Sequence, residues 1–288
     1  MPYFYMIIIK HQSNITMKKF FLFIIAGCFL FSFTQKETAW VAIGDSITYL
    51  NDHPDEAGNR ITKGYLTMVR EKMPNIKALN KGFNGWTSGG IADKFSELDI
   101  PKADIYSIFL GTNDWWQGRP VGTLDDYKNN SGNNTVYGSF RIIINELRKL
   151  NPKAKIILIT PLQRADFVYI NNAHNNAYGS YKPKNNQTLA QFAEAINAIG
   201  KFEKFSVVDL YNKSGITQQN IIKYKRLKDP LTGVYKDYSY PDFIDIPFNP
   251  DTDEYPYPVD AINMTYDGLH PSDKGYKVIT NMLLKALR

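Results

Sequence analysis

Short apolar runs rich in β-branched residues recur along this 288-residue chain, and helix-like stretches separate them. The runs lie at 39–43 (AWVAI), 105–110 (IYSIFL), 156–160 and 206–210 (SVVDL), with a weaker one near 76–80. Helical patterning fills about 61–73, 88–98, 137–150, 187–203 and 273–287. An apolar run bounded by turns reads as a strand buried on both faces. Strand–helix alternation calls for a parallel sheet wrapped by helices. The expectation is a three-layer α/β/α sandwich around a central parallel sheet of about five strands, flavodoxin-like in class. Ser272-Asp273, directly after Pro271, is a reasonable cap for the last helix. One domain is expected over 35–288. Three stretches break the rhythm, at 115–134, 162–186 and 211–266, and are rich in Asn, Gly, Pro, Tyr and Asp. Insertions of this kind in an α/β sheet sit beside the ligand at the carboxyl ends of the strands, and at least two of the three are expected to do so.

Residues 1–34 read as an upstream extension plus an address. Met17-Lys18-Lys19 precedes FFLFIIAGCFLFSF at 20–33, and polar Thr34-Gln35-Lys36-Glu37 follows. A positive start, an apolar stretch too short for a comfortable membrane span and then polar residues describe a secretion signal. Met17 is an alternative start to Met1. Two exits compete: cleavage after Ser32-Phe33-Thr34, or a lipoprotein box at Ile25-Ala26-Gly27-Cys28 that would place lipid on Cys28. The apolar run continues past Cys28, which favours cleavage after Thr34. The mature protein is expected outside the cytoplasm, periplasmic or extracellular, with Cys28 its one candidate membrane tether.

Composition narrows the chemistry. A single cysteine excludes a disulfide framework and a multi-cysteine zinc site. The net charge of +6 includes three lysines, Lys10, Lys18 and Lys19, from a leader with no acid, so the remainder carries +3. That is no case for nucleic-acid binding. No Walker or dinucleotide glycine pattern is present. Asp251, Asp253 and Glu254 form a short acidic run, but without the mid-loop glycine and following ligand of a calcium loop. No metal and no cofactor are expected.

Four short blocks carry the chemistry. Gly44-Asp45-Ser46 ends the first strand, where a serine on a sharp strand-to-helix turn exposes its hydroxyl near the positive end of the helix. Asn80-Lys81-Gly82-Phe83-Asn84-Gly85-Trp86-Thr87 follows the second, and a glycine there can offer a bare backbone N–H to a ligand. Gly111-Thr112-Asn113-Asp114 ends the third, with an Asn amide able to donate into a cleft. Asp267-Gly268-Leu269-His270-Pro271 precedes the last helix, and Asp and His three apart in a turn can pair carboxylate with imidazole. Taken alone, each block reads more readily as an ordinary turn.

Taken in order, the blocks resemble those of the SGNH hydrolase superfamily, the GDSL-type esterases and lipases, over residues 40–288. The first reads GDSI rather than GDSL, and 156 residues separate Asn113 from His270, leaving room for the insertions. The resemblance implies Ser46 as nucleophile, His270 as general base and then acid, and Asp267 orienting His270. It implies an oxyanion hole of the Ser46 and Gly85 N–H groups and the Asn113 side chain. Asp45 and Asp114 would brace turns. Trp115 and Trp116, directly after the third block, are candidate substrate-binding residues, and the Tyr-rich insertions suit sugar stacking or plain packing alike. The expected partner is a small-molecule or glycan ester, with acetyl the leading acyl group. A lipid-directed esterase is the nearest alternative, and a non-catalytic carbohydrate-binding protein a more distant one.

Overall fold

A computed structural model describes residues 36–288, so the signal expected over 1–34 and Cys28 lie outside the described residues. Strands β1 (Thr38–Gly44), β2 (Ile76–Gly82), β3 (Ile105–Phe109) and β4 (Lys155–Ile159) come first along the chain. Two-residue strands β5 (Phe167–Val168) and β6 (Asn176–Ala177) form a small antiparallel hairpin of their own. Strand β7 (Ser206–Val208) then completes a five-stranded sheet in the order β2-β1-β3-β4-β7, every pair parallel. A second hairpin, β8 (Lys225–Lys228) with β9 (Tyr235–Tyr238), lies in the last insertion.

The alternation of side chains along each strand sorts the core into two halves. Trp40 and Ala42 of β1, Phe109 of β3 and Ile157 and Ile159 of β4 face one side. Val41 and Ile43, Tyr106 and Ile108, and Ile156 and Leu158 face the other. Two helices cover the first face: one at Tyr65–Lys72, with Tyr65, Leu66 and Val69 buried, and the C-terminal one at Asp273–Leu287, with Tyr276, Ile279 and Leu283 buried. Helices at Ser88–Lys94, Val136–Leu150 and Leu189–Glu203 cover the second. In Val136–Leu150 the buried set Val136, Phe140, Ile143, Ile144 and Leu147 follows the helical period, and Thr135 caps its start by accepting from the Gly138 N–H. Ser272 caps the last helix through the Gly275 N–H, while Asp273 reaches back to accept from the Thr62 N–H and hydroxyl at 2.8 Å. One boundary differs from expectation. The run SVVDL stops being strand at Val208, because the Asp209 side chain accepts from the Asn212 N–H and starts a short helix at Leu210–Lys213.

The sheet's geometry sets where a ligand can sit. Strand order reverses between β1 and β3, and in open α/β sheets the crevice beyond the carboxyl ends at such a point receives ligands. Gly44 pairs with Gly82 of β2 on one side and Phe109 of β3 on the other, so these strands end on one line. The short helix Ser46–Tyr49 that follows β1 lies across the end of β2. A Cβ on Gly82 would sit 2.2 Å from the Tyr49 backbone nitrogen. Only glycine permits that approach. Gly82→Ala is expected to cost about 1–3 kcal/mol, because the obstructing atom is backbone. Thermal unfolding should show a midpoint several degrees lower; an unchanged midpoint would mean the helix does not rest on β2 this closely.

Candidate active site

The first and last of the four sequence blocks meet above β1. Asp45 caps the helix at Ser46–Tyr49 by accepting from the Ile47 N–H at 3.0 Å, which fixes Ser46 at its first position. Ser46 Oγ lies 2.8 Å from His270 Nε2. His270 Nδ1 lies 2.6 Å from Asp267 Oδ2. The other oxygen of Asp267 accepts from the backbone N–H groups of His270 and Leu269, at 2.7 and 3.0 Å. The carboxylate is fully buried and the imidazole nearly so. A carboxylate held by three donors in a dry site fixes the ring's tautomer and favours an imidazolium when one forms.

Several packing contacts keep the imidazole in this place. The Phe167 ring meets it edge-on with centroids 5.4 Å apart, and Tyr266 stacks beside it at 5.9 Å. The Ala165 and Val168 N–H groups donate to the Gly268 and Asp267 carbonyls, so the second insertion runs along the turn that carries His270. The Tyr276 hydroxyl of the last helix donates to the Ile47 carbonyl at 2.9 Å, tying the helix after His270 to the helix that begins with Ser46.

The middle two blocks complete the cleft. Gly85 has φ +74°, a conformation side chains rarely adopt, and its carbonyl accepts from Gln117 Nε2 at 2.8 Å. Asn113 Nδ2 donates to the Trp86 carbonyl at 3.0 Å, which holds the amide in one orientation and leaves its second hydrogen uncommitted. Among the described residues, neither the Ser46 nor the Gly85 N–H donates to any protein acceptor. Ser46, Gly85, Asn113 and His270 all line one cleft of about 360 Å³. Such a set can accept a proton from a hydroxyl and receive negative charge on a neighbouring oxygen.

Two buried acids brace the frame without lining the cleft. Asp114 is fully buried; it accepts from the Ser88 N–H and from the Ser88 hydroxyl at 2.6 Å, with Arg119 Nε at 3.4 Å. Burial raises its pKa. Burial likewise pushes Asp45 up to about 6, against the pull of the Ile47 N–H and of His270.

The two tryptophans part company. Trp115, expected to meet substrate, is fully buried, and its indole N–H donates to the Gln187 carbonyl at 2.9 Å; it belongs to the core. Trp116, half-buried, lines the cleft. Two insertions contribute to the lining, 115–134 through Trp116 and Gln117, and 162–186 through Arg164, Phe167, Tyr169, Asn175 and Ala177, while 211–266 contributes none. The sequence reading missed Arg164 and Phe167. A usable signal was their place soon after β4, at the same sheet edge as the four blocks.

The sequence matches the family model of the GDSL-like lipase/acylhydrolases over residues 42–278. Among solved structures, a possible lipase from Chitinophaga pinensis DSM 2588 is 62% identical, with a TM-score of 0.87 over 88% of this chain and 98% of that one. A protein from Lactobacillus plantarum shares the fold at 19% identity and a TM-score of 0.59, over 88% of this chain and 97% of that one. An acetyl xylan esterase, AlAXEase, shares it at 16% identity and a TM-score of 0.50, over 87% of this chain and the whole of that one. A search of curated proteins gives no match.

The raised pKa of Asp45 has a testable sign. With the folded value near 6 and the ordinary value 3.8, the folded chain holds a proton that the unfolded chain releases in between. Its contribution to stability is complete below the unfolded value and is lost as pH rises through about 6. Asn keeps an oxygen for the Ile47 N–H and carries no charge. Asp45→Asn should therefore gain on the wild type as pH goes from about 4 to 7, by of order 2–3 kcal/mol. Denaturant unfolding of both proteins across that range checks this, and a difference that does not move with pH would refute it.

Proposed function

The chain belongs to the GDSL-like lipase/acylhydrolase family and is a carboxylic ester hydrolase, and from that premise we propose that it cleaves short acyl esters, acetyl foremost, on a carbohydrate outside the cytoplasm. Ser46 is the nucleophile. The observation that carries this assignment is the continuous contact from the buried Asp267 carboxylate through His270 to the Ser46 hydroxyl, at 2.6 and 2.8 Å. A serine hydroxyl attacks well only while a base removes its proton. As Ser46 Oγ bonds to the ester carbonyl carbon, its proton passes to His270 Nε2, and Asp267 stabilises the imidazolium that results. The carbonyl oxygen becomes an oxyanion and receives the Ser46 and Gly85 N–H groups and the free Asn113 hydrogen. His270 then gives its proton to the departing alcohol, leaving an acyl group on Ser46. Water, deprotonated by the same imidazole, releases the acid and restores the serine.

Three features support the substrate reading. The cleft is modest in volume, about 360 Å³, and mixes apolar with polar lining. Trp116 supplies an aromatic edge beside Asn84, Asn113, Gln117 and Asn175, a combination suited to sugar rings. An acetyl xylan esterase shares the fold. The signal expected over residues 1–34 supports export.

Ser46→Ala is expected to lower kcat/KM for 4-nitrophenyl acetate by at least about 10⁴-fold. The same variant should lose labelling by a fluorophosphonate probe. Asn113→Ala should lower kcat by roughly 10²–10³-fold with little change in KM, the signature of a donor used mainly in the transition state. Labelling that survives Ser46→Ala would reject Ser46. A clear preference for acyl chains of eight or more carbons over acetate would overturn the substrate class while leaving the hydrolase assignment intact.

A further inference from the structure

Arg164 is a buried cation without an anion. It follows β4 at the carboxyl edge of the sheet, lines the cleft that holds Ser46 and His270, and is only 2% exposed. One guanidinium nitrogen, Nη2, donates to the Tyr178 carbonyl at 2.8 Å. Nε is buried with no acceptor, and Nη1 makes no hydrogen bond among the described residues. No carboxylate among the described residues lies within ion-pair distance of it, whereas Lys225, the other fully buried cation among them, has Asp166 at 2.8 Å.

The two acids whose fields reach Arg164, Asp166 and Asp267, are already committed. Asp166 holds Lys225 and accepts from the Gly179 N–H. Asp267 holds His270 and two backbone N–H groups. The guanidinium carbon lies 4.9 Å from the Trp116 ring centroid and 5.2 Å from that of Trp115, so the aromatic pair fixes its plane. A second cation, Lys184, lies 4.3 Å from the Trp116 ring and also makes no ion pair among the described residues. Burial pulls Arg164 down to about 10, which leaves it charged at neutral pH.

A buried guanidinium with unmet donors is costly unless something anionic meets it, and a planar fork suits a carboxylate. We propose that Arg164 binds a carboxylate carried by the substrate, so that this hydrolase is selective for acidic esters. The inference rests on the ester-hydrolase reading above and narrows its substrate class. The carboxylate can sit on the alcohol side, as in an O-acetylated uronic acid, or on the acyl side, as in a monoester of succinic acid.

Binding separates the proposal from the hydrolase reading. The Ser46→Ala protein is titrated, with tryptophan fluorescence as readout, with two matched pairs of esters. One pair is O-acetylated glucuronic acid and its neutral methyl ester; the other is 4-nitrophenyl hemisuccinate and 4-nitrophenyl butyrate. One pair should show the charged member binding about 10–100-fold more tightly, the range for a hydrogen bond to a charged group, and that pair identifies which side carries the carboxylate. Adding Arg164→Gln should abolish the difference, and Arg164→Lys should restore part of it. Equal affinity within both pairs would overturn the proposal. So would a preference that survives Arg164→Gln, or a parallel loss for charged and neutral members, which marks a mere prop for Trp116. Turnover of the same esters by the wild type judges the hydrolase reading separately.

Discussion

Parallel pairing of β1 with both β2 and β3 is the constraint from which the cleft follows. Gly44, Gly82 and Phe109 sit opposite one another, so three connections leave the sheet from one line. Ser46, Gly85 and Asn113 lie two to four residues beyond those points. A register slip of one residue in any of these strands would turn its side chains to the other face and pull its contribution out of line. The order of the strands, with β1 between β2 and β3 and the chain leading away in opposite directions from it, leaves open the crevice that these connections border.

Holding this arrangement has a cost that the buried acids make visible. Asp45 and Asp114 are carboxyl groups removed from water, and both are harder to ionise for that reason. Their hydrogen bonds offset part of the penalty. Asp45 starts the helix that begins with Ser46, and Asp114 joins the third block to Ser88 behind the second. These groups do the positioning, while Ser46 and His270 face the cleft.

The five-stranded α/β architecture was legible because its strands, the weaker β2 apart, are compact apolar runs and each long helix carries its own period. The four blocks were legible because each is local, a few residues beside a strand end or a helix start. What sequence patterning could not resolve depends on direction within a single turn. Trp115 and Trp116 are adjacent on a five-residue helix, too short to establish a periodic face, and successive helical residues point about 100° apart. One entered the core and the other the cleft. The end of β7 was misread for a similar reason: Asp209 is a capping residue only in light of the backbone N–H it receives. The place of Arg164 soon after β4 marks it as a lining candidate, but its further distinction, the lack of a counter-ion, is one that no spacing encodes.

The Tyr276–Ile47 hydrogen bond staples the two extremities of the described domain to each other beside the reacting groups. Loops between Asn113 and Asp267 that touch neither the sheet nor the turn carrying His270 can therefore vary in length without altering the distance between attacking oxygen and proton acceptor, while β4, β7 and the stretch at 165–168 stay fixed. The architecture separates a fixed reaction frame, closed by the two ends, from the loop segments of the middle that dress it. Divergence within such a lineage can then retune what is recognised by grafting new segments into that middle, with the chemistry inherited whole.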